Sequence, residues 1–301
     1  MPDQAAELRG LVQRLRWIDK RESPARPGTD GARIIATTSG KGGVGKTNFV
    51  VNTAISMAGL GLKVSVLDAD LGMANVDVLL GLAARYNLRH VINGTLSMSD
   101  IIVQGPRDIQ VIPGASGLRE IADLRERDRL RLIGSLEEAA SERDILFIDT
   151  GAGVSSNVLD FVMAAGEVIV LTTPEPTAMT DAYAMIKLIS RQDPRARIHV
   201  VVNMAPSRQE AQAAVEQLNK LCQRFLGFRF NALGYIPMDP VVSKSVKQRQ
   251  PFVVSNPYSP ATAAIDAIAR DLKGLPPADH EPGVRAFVRR LLSVSSDDYL
   301  L

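Results

Sequence analysis

Between Arg33 and Leu60 the sequence passes from a short apolar stretch through a glycine-rich turn into a segment of helical periodicity, an order that few folds accommodate. Arg33-Ile34-Ile35-Ala36-Thr37-Thr38 is β-branched and apolar, the character of a strand buried on both faces. Ser39-Gly40-Lys41-Gly42-Gly43-Val44-Gly45-Lys46-Thr47 follows, with Gly40, four residues, Gly45, Lys46 and Thr47 completing a phosphate-binding loop. Thr47 to Leu60 then carries apolar residues at helical spacing. Glycines let such a loop curl so that successive N–H groups point inward, and the helix that opens near Lys46 adds unpaired N–H groups and a positive dipole end. Lys46 is expected to reach the β- and γ-phosphates of a nucleoside triphosphate, and the Thr47 hydroxyl to bind magnesium. Gly40, Lys41, Gly42, Gly43, Val44, Gly45 and Asn48 are expected to line the same phosphate site.

A phosphate site of this kind also needs carboxylates at the carboxyl ends of neighbouring strands, to hold magnesium and to place the attacking water. Two strands supply them. Asp144-Ile145-Leu146-Phe147-Ile148 ends in Asp149-Thr150-Gly151, which gives Asp149 the character of a magnesium-contacting aspartate. Lys63-Val64-Ser65-Val66-Leu67 ends in Asp68-Ala69-Asp70, whose two carboxylates share a face of the strand. Asp70, the outer one, is better placed to approach magnesium and water, and Asp68 is left as a structural candidate. Asp149 also reads as a helix N-cap, and that alternative stays open.

From Arg33 onward apolar strands alternate with amphipathic helices, so the expected class is α/β: a mostly parallel, twisted sheet flanked by helices on both faces. The strands are expected at residues 33–38, 63–68, 108–113, 144–149, 167–173, 197–203 and 231–236. At 301 residues the chain has room for one large domain and little more. The net charge of +2 makes no global case for nucleic acid. Cys222 stands alone, which excludes an internal disulfide or a cysteine-ligated cluster within one chain. No segment approaches the ~20 apolar residues of a membrane span, so the protein is expected in the cytoplasm, reversibly peripheral to a membrane.

Both ends look tethered. Residues 1–21 read as a helix with Ala5, Leu8, Val12 and Leu15 on one stripe, and 22–32 as a linker of turn formers. The ATPase domain is expected over 33–275 and a second linker over 276–283. Within 284–301, Val284, Phe287, Val288, Leu291 and Leu292 fall on one helical face, while Arg285, Arg289 and Arg290 occupy the other. That pattern is expected to meet anionic lipids.

With Lys41 beside Gly40, the loop resembles the deviant phosphate loop of the MinD/ParA group of ATPases, and Asp70 and Asp149 stand where that group has its second and third motifs. Within the group the likeness is to the flagellar-number regulators of the FlhG (FleN) family. It is carried by residues 67–77, by Pro174-Glu175-Pro176-Thr177 with Thr180-Asp181-Ala182-Tyr183, by Gly234-Tyr235-Ile236-Pro237-Met238-Asp239, and by Asp3-Gln4-Ala5-Ala6-Glu7-Leu8-Arg9. The resemblance implies a homodimer in the ATP state, closed by Lys41 reaching the partner's nucleotide. It also implies ATP hydrolysis to ADP with Mg2+, with Lys41, Lys46 and Asp70 as the catalytic set, and adenine held by Asn203 and the backbone near Pro237 and Met238. Asp3, Gln4, Leu8 and Arg9 are expected to engage and activate FlhF, an SRP-type GTPase. Flagellar basal-body components and a flagellar transcription regulator are further implied partners, and the location implied is the inner membrane. Two other readings remain: a division-site protein like MinD, and a DNA-partitioning ATPase like ParA, for which Lys244-Ser245-Val246-Lys247-Gln248-Arg249 is the one short basic candidate.

Overall fold

The computed structural model describes residues 31–70, 76–114, 126–276 and 283–293. The N-terminal Asp3, Gln4, Leu8 and Arg9 lie outside the described residues, as do 71–75 and the tail from 294.

Eight strands form one sheet: β1 (Arg33–Ser39), β2 (Val64–Ala69), β3 (Val103–Gln104), β4 (Gln110–Ile112), β5 (Ile145–Ala152), β6 (Glu167–Thr172), β7 (Arg197–Ala205) and β8 (Asn231–Pro237). Their order is β3-β4-β2-β5-β1-β6-β7-β8, and every pairing is parallel except β3 with β4. The expected α/β class and seven strands are thus present. The two-residue β3 at the edge gives too short a pattern to read from sequence. Continuous burial along β1, β2 and β6 explains their apolar runs, because both faces of the sheet are covered.

The strands divide their side chains between two cores. On one face Ile35, Val66, Phe147 and Ile169 pack with Phe49, Val50 and Ala54 of α1 (Lys46–Gly59), and with the helices that close the domain: α9 (Pro240–Lys247), α10 (Phe252–Ser255) and α11 (Pro260–Gly274). On the other face Ala36, Leu67, Ile148 and Val170 pack against α5 (Glu126–Ala140), α6 (Ser156–Ala165), α7 (Pro176–Gln192) and α8 (Arg208–Leu226). The short helices α2 (Val76–Leu80), α3 (Leu88–Ile92) and α4 (Met98–Ile101) connect β2 to β3.

The last helix, α12 (Val284–Ser293), joins the second core. Val284, Phe287, Val288 and Leu291 are buried, and Phe287 stacks on Phe161 of α6 with ring centroids 6.4 Å apart. Arg285 makes a forked pair with Glu137 of α5, and Arg290 donates from Nε to the Ala164 carbonyl at 2.8 Å. The apolar stripe expected to face lipid therefore faces protein in this state. The side chain of Leu292 lies outside the described residues.

At the end of the sheet away from the phosphate loop, Arg33 and Glu167 form a buried pair that His199 joins at 2.9 Å. Arg33 also donates to the carbonyls of Leu272 and Leu275, which fixes the C-terminus of α11 to β1. Arg197 donates to the Pro276 carbonyl next to it. Burial alone would raise the Glu167 pKa, but the hydrogen bonds from Arg33 and His199 outweigh that and hold it below the usual glutamate value.

Candidate active site

The strand order sets the site. β1 lies between β5 and β6, and β5 lies between β1 and β2, so the loop after β1 and the acids after β2 and β5 come together outside the carboxyl ends of the strands. Asp149 pairs in register with Thr37 on one side and Asp68 on the other.

The phosphate loop connects β1 to α1. Gly45 caps α1 at φ 91°, a left-handed conformation that L residues rarely adopt. Gly40 is required for a different reason: a Cβ there would stand 2.4 Å from the Asp181 carbonyl oxygen of α7. The Ser39 hydroxyl donates to the Lys41 carbonyl, and the Gly153 N–H donates to the Ser39 carbonyl, tying the loop to the turn that follows Asp149. Asn48 accepts from the Asn52 amide, whose own carbonyl oxygen caps Val253 of α10.

Lys46 is buried, and desolvation lowers its pKa against the opposing pull of Asp149 and Asp70. Desolvation outweighs these two acids, and the phosphates of a bound nucleotide would stabilise the buried cation. Asp149 is fully buried and neither of its carboxylate oxygens has a hydrogen-bond partner. Burial raises its pKa to about 7, with Asp68 and Asp70 adding to the shift, while the Thr47 hydroxyl and Lys46 oppose it. Thr47 therefore lies close enough to act on the carboxylate without completing a well-formed hydrogen bond. Two orphaned carboxylate oxygens beside a threonine hydroxyl fit a magnesium ion, which keeps several waters and takes one or two carboxylates plus phosphate oxygens. Among the described residues no group of three or more His, Cys, Asp or Glu is arranged to hold a metal ion.

The two acids of β2 separate by geometry. Asp68 is buried and accepts from the N–H groups of Asp70 and Val76. Asp70 is partly exposed and lies 3.5 Å from where a Cβ on Gly151 would sit, at the end of β5. Asp68 is thus held by backbone N–H groups, whereas Asp70 stands beside the end of β5.

Lys41 turns away from its own loop. Its Nζ lies 2.8 Å from Glu175 and donates to the Thr177 hydroxyl at 3.1 Å, and the pair is exposed. Neither residue stood out from sequence as a partner, although both lie in the Pro174-to-Thr177 segment that carries the resemblance. Across the site, Asn203 donates from Nδ2 to the Val44 carbonyl at 2.7 Å, so this amide bonds to the phosphate loop itself. Pro237 ends β8 and the Met238 N–H donates to the Ala205 carbonyl, joining the tips of β7 and β8.

Residues 32–201 match a family described as an AAA domain, and residues 135–273 match the ParA family, described as NUBPL iron-transfer P-loop NTPase. Antiactivator FleN of Pseudomonas aeruginosa is 41% identical over 261 residues, which cover 86% of this chain and 93% of that protein. The chain belongs to the MinD/ParA-type ATPases, close to FlhG. Flagellum site-determining protein YlxH of Helicobacter pylori is 34% identical, with 79% of this chain and 80% of that protein covered. Septum site-determining protein MinD of Pyrococcus horikoshii, solved with Mg-ADP, superposes with a TM-score of 0.66 at 25% identity over 81% of this chain and 96% of that one. As a MinD/ParA-type ATPase the chain is an ATP hydrolase, and its phosphate loop, Asp70 and Asp149 occupy one continuous site. Bound magnesium in such a site neutralises charge on the β- and γ-phosphates. Lys46 adds a positive charge from the loop, and Asp70 acts electrostatically on both Lys46 and Asp149.

Proposed function

We propose that the chain is an ATP-driven dimerising switch that sets flagellum number and placement. The observation that carries this reading is the 41% identity to FleN across nearly the whole of that protein. ATP is hydrolysed to ADP and phosphate with Mg2+ held by Thr47 and Asp149, aided by Asp70. Asn203, Pro237 and Met238 hold the adenine. Lys41 crosses to the partner's nucleotide when two chains meet. It has first to leave Glu175, and an exposed pair of this kind is worth only ~0–1 kcal/mol, so the lysine is readily released.

In the ATP dimer, α12 leaves its groove and meets the inner membrane through Val284, Phe287, Val288, Leu291 and Leu292, with the arginines near anionic headgroups. Groove and lipid offer similar apolar surroundings, so the four described apolar side chains, each worth up to ~1.5–3 kcal/mol when buried, favour neither strongly. A modest nucleotide-driven bias then decides between them, and two anchors on one dimer raise avidity by ~10²–10⁴. The N-terminal element over 1–21, with Asp3, Gln4, Leu8 and Arg9, engages FlhF and stimulates its GTPase. Basal-body components and a flagellar transcription regulator are further proposed partners.

The test is the FlhF GTPase rate with the intact chain and with Gln4→Ala. Stimulation that is lost in the variant supports the reading. No stimulation by the intact chain removes FlhF from it.

A further inference from the structure

α12 lies against α5 and α6, the helices that precede and follow β5, in the manner of a peptide laid in a groove. Its buried residues Val284, Phe287, Val288 and Leu291 fall at i, i+3, i+4 and i+7, the spacing of helix-in-groove recognition. They share one core cluster with Leu136 and Ala140 of α5 and with Phe161 and Ala165 of α6. Two polar contacts set the register. Arg285 forks onto Glu137 of α5, its Nε 2.7 Å from the carboxylate, and the Arg290 Nε reaches the Ala164 carbonyl of α6. Gly283 passes so close to Gly31 that a Cβ on Gly31 would stand 2.8 Å from the Gly283 Cα, which fixes the start of the helix as well. The groove is therefore an apolar slot with an acid on one wall and a carbonyl acceptor on the other.

Lipid can take the place of the groove around the side chains of α12, but it does nothing for the groove itself. Once vacated, Phe161 would lose the ring of Phe287, the apolar floor would face water, and Glu137 would lose its arginine. Contiguous apolar surface rimmed by polar groups marks an interaction site, so an exchange of α12 that is close to balance requires a second occupant. We propose that the groove is a docking site for a helix of a partner protein, with apolar residues at i, i+3, i+4 and i+7 and an arginine at i+1, which enters as α12 leaves. α12 is then an internal competitor for the site, and partner binding and release of α12 favour each other. The timing rests on the release of α12 under the proposed function; the fit of the groove does not.

The probe is a dye-labelled peptide of residues 283–293, and its binding to the full chain is followed by fluorescence anisotropy without nucleotide or lipid. Phe287→Glu in the chain opens the groove, and Leu291→Glu opens it by a second route; each variant is first shown to melt cooperatively. Both opened chains are expected to bind the peptide at least ~10-fold more tightly than the native chain, in which α12 fills the site. Arg285→Glu in the peptide is expected to weaken binding about fivefold, and Glu137→Arg in the opened chain to restore it. Equal binding to native and opened chains overturns the proposal. Indifference to the charge exchange also overturns it, because apolar adhesion alone would behave that way. A nucleotide-free dimer of the native chain by light scattering would assign the groove to α12 of a second copy and overturn the partner helix. Mg-ATP is expected to raise peptide binding by the native chain; if it does not while the opened chains bind, nucleotide-driven release fails and the docking site stands.

Discussion

Asp149 is a carboxylate removed from water with neither oxygen hydrogen-bonded, held there by β5 between Thr37 and Asp68. A site built for magnesium carries this electrostatic cost until the ion arrives. Asp149→Asn removes the charge and keeps the shape, so the nucleotide-free chain is expected to melt about 2–6 °C higher in calorimetry, while Mg-dependent ATP hydrolysis falls at least ~100-fold. A lower melting temperature would contradict the fit of the site to a metal. Glu167 behaves in the opposite way. Its pKa is lowered in the fold, so it contributes stability that is present above the usual glutamate range and lost as pH falls through its native value. Denaturation followed from neutral to acid pH is expected to show a smaller loss of stability in Glu167→Gln than in the native chain.

At the scale of elements, the sequence displayed what periodicity and spacing encode. The strands announced themselves because burial on both faces leaves no room for polar residues, and the phosphate loop because its glycines answer local needs at Gly40 and Gly45. Asp70 stands just past the end of β2, the position that set it apart from Asp68 in the sequence. What stayed hidden depends on long-range pairing. Lys41 meets Glu175 across 134 residues and Asn203 meets Val44 across 159, and no spacing rule connects them. The docking of α12 was hidden for another reason: an amphipathic stripe looks the same whether it faces lipid or protein. α6 begins just after the Asp149 turn and carries Phe161 and Ala164 to α12, so it connects that turn to the last helix. Phe161→Ala is expected to loosen α12 and raise sedimentation of the nucleotide-free chain with anionic vesicles several-fold, whereas Phe287→Glu abolishes sedimentation with ATP. Persistent sedimentation of the Glu variant would remove α12 as the anchor.

The described residues from Gly31 onward form a sheet with its phosphate loop and acids at one end, an exposed lysine beside them, and a final helix packed into the core of one face. No helix among the described residues is long and apolar enough to cross a membrane, and the attachment proposed for α12 is a conditional one. The condition is proposed to be the pairing of two chains over ATP, with Lys41 exchanging Glu175 for the partner's phosphates. In the same proposal, hydrolysis ends the pairing and gives the switch its clock. The most direct test is the mass in solution by light scattering of Asp70→Ala, which on the proposed role of Asp70 is expected to bind ATP without consuming it. The expected result is a shift from the 32.5 kDa chain to twice that mass with Mg-ATP but not with Mg-ADP, abolished by adding Lys41→Ala. A single-chain mass in every nucleotide state, or a dimer indifferent to Lys41, would contradict it.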